Sequence, residues 1–246
     1  MPPDERSPAA ADLSGDDWLE LLSSGELEVE GRMPWSSNVT LLCTLRKGGI
    51  ERRAIYKPAG GERPLWDFPG GLFRREVAAY ELSAALGLSV VPETVLRSDA
   101  PFGEGSLQRF IDADFAQHYF SLLEDPSCLE DLRRVAGFDV LANNADRKGG
   151  HLLLDAAGRI WGIDNGLCFH PAPKLRTVMW DFAGDEVPAE VFDACSLLES
   201  SLPDVLSSLL APEECAALQG RAGSLRRSGR FPAPHDDHRA YPWPLV

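Results

Sequence analysis

Asp146 and Asp164 are the residues in this chain whose type and spacing most plainly suit chemistry. They lie within FDVLANNADRKGGHLLLDAAGRIWGIDNGLCF, residues 138–169. The first sits in an Asn-Ala-Asp-Arg setting, His151 follows five residues later, and the second comes after a short apolar strand. Two carboxylates so placed, the second beyond a hairpin, suit phosphoryl transfer from a metal-bound nucleotide. One orients an attacking hydroxyl and the other holds the ion that bridges the phosphates. Each Asp could equally cap a turn, and a lone His at a strand start could be a core residue. Turn capping explains less well why Asn143, Asn144, Asp146, Lys148 and His151 crowd into nine residues. Asp139, inside the preceding helical stretch, reads as an anchor for the loop.

Other residues could complete such a site. Lys57 ends the alternating strand AIYKP and shares a face with Ile55, whereas Ala54 and Tyr56 face the other way. A lysine on such a face needs an anionic partner, and a nucleotide phosphate is one candidate; an ordinary edge-strand lysine is the other. Glu76 and Glu81 are the carboxylates that a following helix offers it. On a helical wheel Glu81 falls within the apolar arc of Ala78, Leu82 and Ala85, with Glu76 nearly opposite. The turn GRMPWSSN, residues 31–38, carries small hydroxyl side chains and backbone N–H groups able to cradle a phosphate. A plain hairpin turn is an equal reading of it. No Walker A lysine and no G-x-G-x-x-G is present.

The elements that must hold these groups follow from periodicity. DDWLELLSS, residues 16–24, reads as a helix stopped by Gly25. Strands are expected over 26–31, 38–45 and 52–57, with Lys47-Gly48-Gly49 turning the second into the third. A loop with two Gly-Gly pairs and three prolines spans 58–71, and a helix of good formers spans 72–86. Two more strands are expected over 90–96 and 105–111, then a largely helical stretch over 122–142. Short strands over 152–154 and 160–163 flank an Asp155-to-Gly158 turn. Helices over 191–198, 205–210 and 213–225 complete the pattern, and the chain is polar and Pro-rich from Arg226. A sheet-rich half followed by a helix-rich half implies an α+β fold of two lobes with a cleft between them. The expected division is a tail over 1–14, a first lobe over 15–107, a second over 108–225, and a tail over 226–246.

Composition narrows the partners. The 246 residues suffice for one large domain or two small lobes. A net charge of −14 speaks against nucleic acid and against docking on an anionic membrane. The five cysteines are scattered without a C-x-x-C pair, which implies reduced, buried thiols. The N-terminus lacks the apolar core of a secretory signal, and no window reaches the roughly 20 apolar residues of a membrane helix. The expected compartment is the cytoplasm, with no integral membrane association.

Taken together, PWSSN, AIYKP, REVAAYELSAALGL, QRF, NNADRKGGH and GIDNG occur in an order that resembles the protein-kinase-like superfamily. The likeness is to its phosphatidylinositol 3-/4-kinase-related and HipA-like branch, with an actinobacterial phosphatidylinositol-kinase-like group as the nearest match. It covers about residues 25–185. The resemblance implies a small two-lobed protein-kinase-like fold, with an N-terminal antiparallel sheet lobe holding one helix and a mainly helical C-terminal lobe. It implies ATP and Mg²⁺ or Mn²⁺ as cofactors. Ser36, Ser37 and Asn38 would form the phosphate loop, and Lys57 would contact the phosphates. Glu76 matches the helix glutamate that holds this lysine, which favours it over Glu81 despite the wheel. Gln108, Arg109 and Phe110 would form the inter-lobe strand facing adenine. Asp146 matches the catalytic aspartate, Lys148 would steady the transferred group, and Asp164 matches the metal-binding aspartate.

His151 departs from the family, standing where a metal-binding asparagine is expected. Imidazole suits Mn²⁺ or Zn²⁺ better than Mg²⁺. One metal held mainly by Asp164, a Mn²⁺ preference, or lost catalysis are the three outcomes. Lys174-Leu175-Arg176-Thr177, where an activation loop would lie, would either meet an acidic substrate or form a solvated turn. The leading expectation is a kinase-like phosphotransferase acting on a hydroxyl of a protein or small soluble acceptor. The alternatives are a nucleotide-binding pseudokinase acting as a regulatory module, and AMP transfer.

Overall fold

A computed structural model describes residues 13–34, 38–234 and 240–246. The tail expected over 1–14, except Leu13 and Ser14, lies outside the described residues, as do Ser36 and Ser37 of the expected phosphate loop. Helix α1 (Gly15–Ser24) starts where the Ser14 Oγ accepts the Asp17 N–H at 3.2 Å. Strands β1 (Glu26–Arg32), β2 (Leu41–Lys47), β3 (Ile50–Pro58), β4 (Thr94–Arg97) and β5 (Gly105–Arg109) form an antiparallel sheet in the order β1-β2-β3-β5-β4. The β2–β3 turn needs its glycines: Gly48 and Gly49 take φ of 57° and 82°, as a two-residue hairpin turn between twisted strands requires.

Alternation along β3 decides which groups reach the cleft. Ala54 and Tyr56 are fully buried against Trp18, Leu21 and Leu22 of α1, together with Cys43, Leu45 and Leu107 of the sheet. Ile55 and Lys57 therefore project from the opposite face. Across that face runs α2 (Leu72–Ala85). Residues 90–92, expected to open a strand, are not part of β4, where Pro92 could not donate to the ladder. Instead the Val90 carbonyl accepts the Gly162 N–H at 2.7 Å and ties the first lobe to the second.

The second lobe holds the larger core. The expected helix over 122–142 is divided into α3 (Tyr119–Leu122), a 3₁₀ turn over Pro126–Cys128, and α4 (Leu129–Ala142). Pro126 lacks the N–H that a continuous helix would use, and the Asp125 carboxylate caps the new turn through the Ser127 N–H at 2.9 Å. Strands β6 (Leu152–Leu154) and β7 (Ile160–Gly162) pair as a separate hairpin. Helices α5 (Ala189–Ser200), α6 (Asp204–Leu209) and α7 (Pro212–Ser228) follow, with Leu132, Phe138, Leu141, Phe169, Val191 and Leu218 among the fully buried side chains.

The stretch expected as a polar tail from Arg226 is partly folded. Helix α7 continues to Ser228, Phe231 and Ala240 are buried, and the Gly149 N–H donates to the Leu245 carbonyl at 2.7 Å. All five cysteines are free and buried. Among the described residues no helix is long and apolar enough to cross a membrane.

Candidate active site

Lys57, at the end of β3, is held by two carboxylates. Its Nζ donates to Glu76 Oε1 of α2 and, at 2.7 Å, to Asp164 Oδ1. Glu76 is buried, with 3% of its side chain exposed, and its Oε2 accepts the Asn165 N–H at 3.0 Å. Glu81 is half-buried and does not pair with Lys57. The wheel misleads because α2 is enclosed on several sides at its N-terminal half: Leu72, Phe73, Arg75, Glu76, Val77, Ala78 and Ala79 are all buried. A single apolar arc identifies the inward face only when the rest of a helix meets water.

Asp146 is positioned from below by a buried polar network. Arg147 is fully buried and makes a two-pronged bond to Asp139, Nε to Oδ2 at 2.8 Å and Nη2 to Oδ1 at 2.9 Å. The same guanidinium donates to the Ile163 carbonyl at 2.5 Å and to Asn165 Oδ1 at 2.7 Å. Asn144 Nδ2 donates to Asp139 Oδ1 at 3.1 Å, while its Oδ1 accepts the Asp146 N–H at 3.0 Å. One buried ion pair thus sets both carboxylate-bearing segments. Asn143 ends α4 at φ 55°, and Asp164 itself lies at φ 58°, a left-handed conformation that costs a non-glycine residue energy. Such strain persists where surrounding bonds over-determine it, as the Arg147 and Glu76 contacts do on either side.

The electrostatics separate the two carboxylates. Lys57 holds the Asp164 carboxyl well below the ordinary range, against the opposing effect of burial. Burial raises Asp146 above its ordinary value, although the Lys148 ammonium 3.0 Å away pulls the other way. Burial also works against the charge on Lys57, yet Asp164 and Glu76 outweigh it and keep the lysine protonated. His151 is pushed down to about 4, by burial first and then by the neighbouring cations Arg147, Lys148 and Lys57, with Asp164 opposing. The ring is therefore neutral at pH 7. Its Nδ1 accepts the Lys148 N–H at 3.5 Å, which assigns the ring proton to Nε2, 3.4 Å from Asp164 Oδ2.

Lys57, Glu76, Asp146, Lys148, His151 and Asp164 all line one cavity of about 370 Å³ between the lobes. Asn38 lines it as well, and its Oδ1 accepts the Arg63 N–H at 2.9 Å. The expected adenine-facing residues are not among its lining. Gln108 is buried and donates to Thr94 Oγ1 at 2.8 Å, Arg109 reaches Glu93 at 3.4 Å, and Phe110 lies against Phe115 and Arg53. Lys174 and Arg176 form neither a free basic surface nor a solvated turn. Both approach Asp67 of the 58–71 loop, Lys174 at 2.8 Å and Arg176 at 3.9 Å.

Sequence reasoning passed over Arg147, Asn165 and Asp67. An arginine flanked by Asp146 and Lys148 reads as surface charge, and only its enclosure by Asp139 and Asn165 reveals its position. The signal that could have exposed it was Asp139 eight residues upstream on an apolar helix, since a buried aspartate requires a cation.

The donor set fits a nucleotide-borne ion better than a resident one. Among the described residues no group of three or more His, Cys, Asp or Glu side chains is placed to hold a metal. Mg²⁺ is commonly bound by one or two carboxylates with phosphates and water completing its shell, and Asp164 suits that role. His151 Nε2 would reach the same ion only in the other tautomer, which gives up the bond from the Lys148 N–H.

This sheet lobe, helical lobe and intervening cleft define a protein-kinase-like fold. A structure of hydra Fam20 with sugar superposes with a TM-score of 0.61 at 15% identity, covering 86% of each chain. The crystal structure of the Helicobacter pylori proinflammatory kinase CtkA aligns at a TM-score of 0.48 and 15% identity, over 85% of this chain and 94% of that one. No family model matches the chain. Protein Rv2133c of Mycobacterium tuberculosis is 39% identical over 267 aligned positions, spanning 93% of this chain and 95% of that protein. The chain belongs to the Rv2133c family.

Proposed function

We propose that the chain is an ATP-dependent phosphotransferase that moves the γ-phosphoryl group to a hydroxyl of a protein or small soluble acceptor. The observation that carries this reading is the convergence of Lys57, Glu76, Asp146, Lys148, His151 and Asp164 on one inter-lobe cavity. Lys57, oriented by Glu76, would contact the nucleotide phosphates, with Asn38 lining the same cavity. Asp164 would hold Mg²⁺ or Mn²⁺, which supplies neutralisation of charge on the β- and γ-phosphates. Asp146, raised by burial toward a better base, orients the acceptor hydroxyl and takes its proton. The acceptor oxygen bonds to the γ-phosphorus as the bond to the β-phosphate oxygen breaks, and ADP leaves. Lys148, beside Asp146, steadies the transferred group. Positioning of this kind can supply roughly 7–11 kcal/mol of the barrier reduction. The motif order supports placement near the phosphatidylinositol 3-/4-kinase-related and HipA-like branch. The net charge of −14 favours a protein or small soluble acceptor over a phosphoinositide in an anionic membrane.

One observation favours a nucleotide-binding pseudokinase instead: both Asp164 oxygens are engaged, Oδ1 by Lys57 and Oδ2 by His151. Incubation with γ- and α-labelled ATP, in Mg²⁺ and in Mn²⁺, separates the readings. Label transferred from γ supports the phosphotransferase. Label retained from α identifies AMP transfer, and binding without transfer identifies the pseudokinase.

A further inference from the structure

Helix α2 carries two consecutive buried charges that face different parts of the molecule. Glu76 reaches into the cleft, to Lys57 and the Asn165 N–H. Arg75, about 100° further round the helix, reaches the last long helix of the second lobe. Its Nη2 donates to Glu214 Oε1 of α7, and both side chains are only 6% exposed. Its Nη1 approaches the Gly70 and Gly71 carbonyls at 3.2 and 3.4 Å, and the guanidinium lies 5.4 Å from the centre of the Phe68 ring. Glu214 is fixed in turn, because its Oε2 accepts the Ala211 N–H at 2.9 Å in the first turn of α7.

We propose that the buried Arg75–Glu214 pair is a positioning device that holds α2 in the rotation placing Glu76 on Lys57. This rests on the reading of Lys57 and Glu76 as the nucleotide-phosphate grip. The pair joins α2 to α7, and neither side chain lines the cavity, so it acts through α2 and the turn from which that helix starts. A rotation of α2 that lifts Glu76 from Lys57 must also draw Arg75 from Glu214. A buried ion pair adds little net stability over a packed apolar pair, but breaking it by removing one partner is costly. That asymmetry suits a part that selects one orientation. The same arginine also ties down the 70–71 turn from which α2 starts, so the helix is held in translation as well.

The test uses the full chain carrying Glu214→Gln, which keeps the side-chain volume and an acceptor for the Ala211 N–H while removing the charge. Hydrogen exchange of residues 72–85 is compared with that of the sheet over 41–58, and ATP kinetics are measured alongside. The expected result is an acceleration of exchange in α2 of about tenfold, with the sheet unchanged. It is accompanied by a fall in kcat/KM for ATP of about a hundredfold, the scale of a misplacement of about 1 Å. Arg75→Met/Glu214→Met separates position from stability. Its melting temperature recovers, since no lone charge remains, while turnover stays low. Unchanged α2 exchange in Glu214→Gln, or full turnover in the Met–Met variant, overturns the proposal. If the wild type itself transfers no phosphate, the phosphotransferase reading fails, and α2 exchange alone decides the positioning role.

Discussion

Asp139→Leu tests whether the network beneath the site is as interdependent as its geometry indicates. The substitution leaves Arg147, which has no exposed surface, without its only carboxylate partner at bonding distance among the described residues. Breaking one side of a buried pair costs about 3–5 kcal/mol. Arg147 keeps the Ile163 carbonyl and Asn165 Oδ1, which places the expected loss near the lower end, about 3 kcal/mol. Against a total stability of roughly 5–15 kcal/mol the protein still folds. In urea, with a slope of about 3 kcal/mol per molar, the midpoint falls by about 1 M with the slope unchanged. Asp139→Leu/Arg147→Met removes the stranded charge and recovers more than half of that loss. A midpoint shift below about 0.3 M, or a double variant no more stable than the single, would refute the reasoning.

Burial at His151 and the close β3–β5 contact each have a measurable consequence. The unfolded His151 ring protonates near its ordinary value of 6.5 and the folded ring only near 4. The contribution is therefore complete above pH 6.5 and is lost as pH falls toward 4, by about 3 kcal/mol in all. Urea midpoints of metal-free wild type should decline across that window more steeply than those of His151→Asn; parallel profiles would contradict it. Gly105→Ala places a methyl against the Lys57 carbonyl, with Tyr56 Cε2 at 2.7 Å and the Pro58 Cα at 2.8 Å. Overpacking of this sort costs about 2 kcal/mol, so a thermal scan should show a drop of roughly 6 °C; an unchanged melting temperature would count against the tight β3–β5 contact.

How much of this could be read in advance depended on whether the controlling physics was local. The β2–β3 turn was readable because Lys47-Gly48-Gly49 admits few other conformations, and the period-two pattern of AIYKP put Lys57 with Ile55 on the face opposite Ala54 and Tyr56, though not which of the two faces is buried. Helix α2 was found by its good formers, but its inward face was not. Enclosure by the sheet, the 58–71 loop and the second lobe left almost no solvated side to contrast with. Arg147 and Glu214 were invisible for a related reason. Each is charged in sequence, and each is buried only because a partner distant in the chain, Asp139 or Arg75, meets it there. The break at Pro126 was missed where apolar periodicity outweighed the missing N–H. Packing of residues 240–246 against Gly149 and Trp180 had no signal, since two of its bonds are made by backbone carbonyls, of Ala240 and Leu245, which any sequence possesses.

The central claim is that Asp146 and Asp164 divide one reaction between them, and label transfer from γ-labelled ATP tests it most directly. Wild type should transfer label in Mg²⁺ or Mn²⁺. Asp146→Asn should lose transfer while still binding nucleotide with metal, because the carboxylate facing the acceptor is gone and the phosphate grip remains. Asp164→Asn should lose transfer together with the metal dependence of nucleotide binding. Transfer at the wild-type rate in either variant would contradict the account.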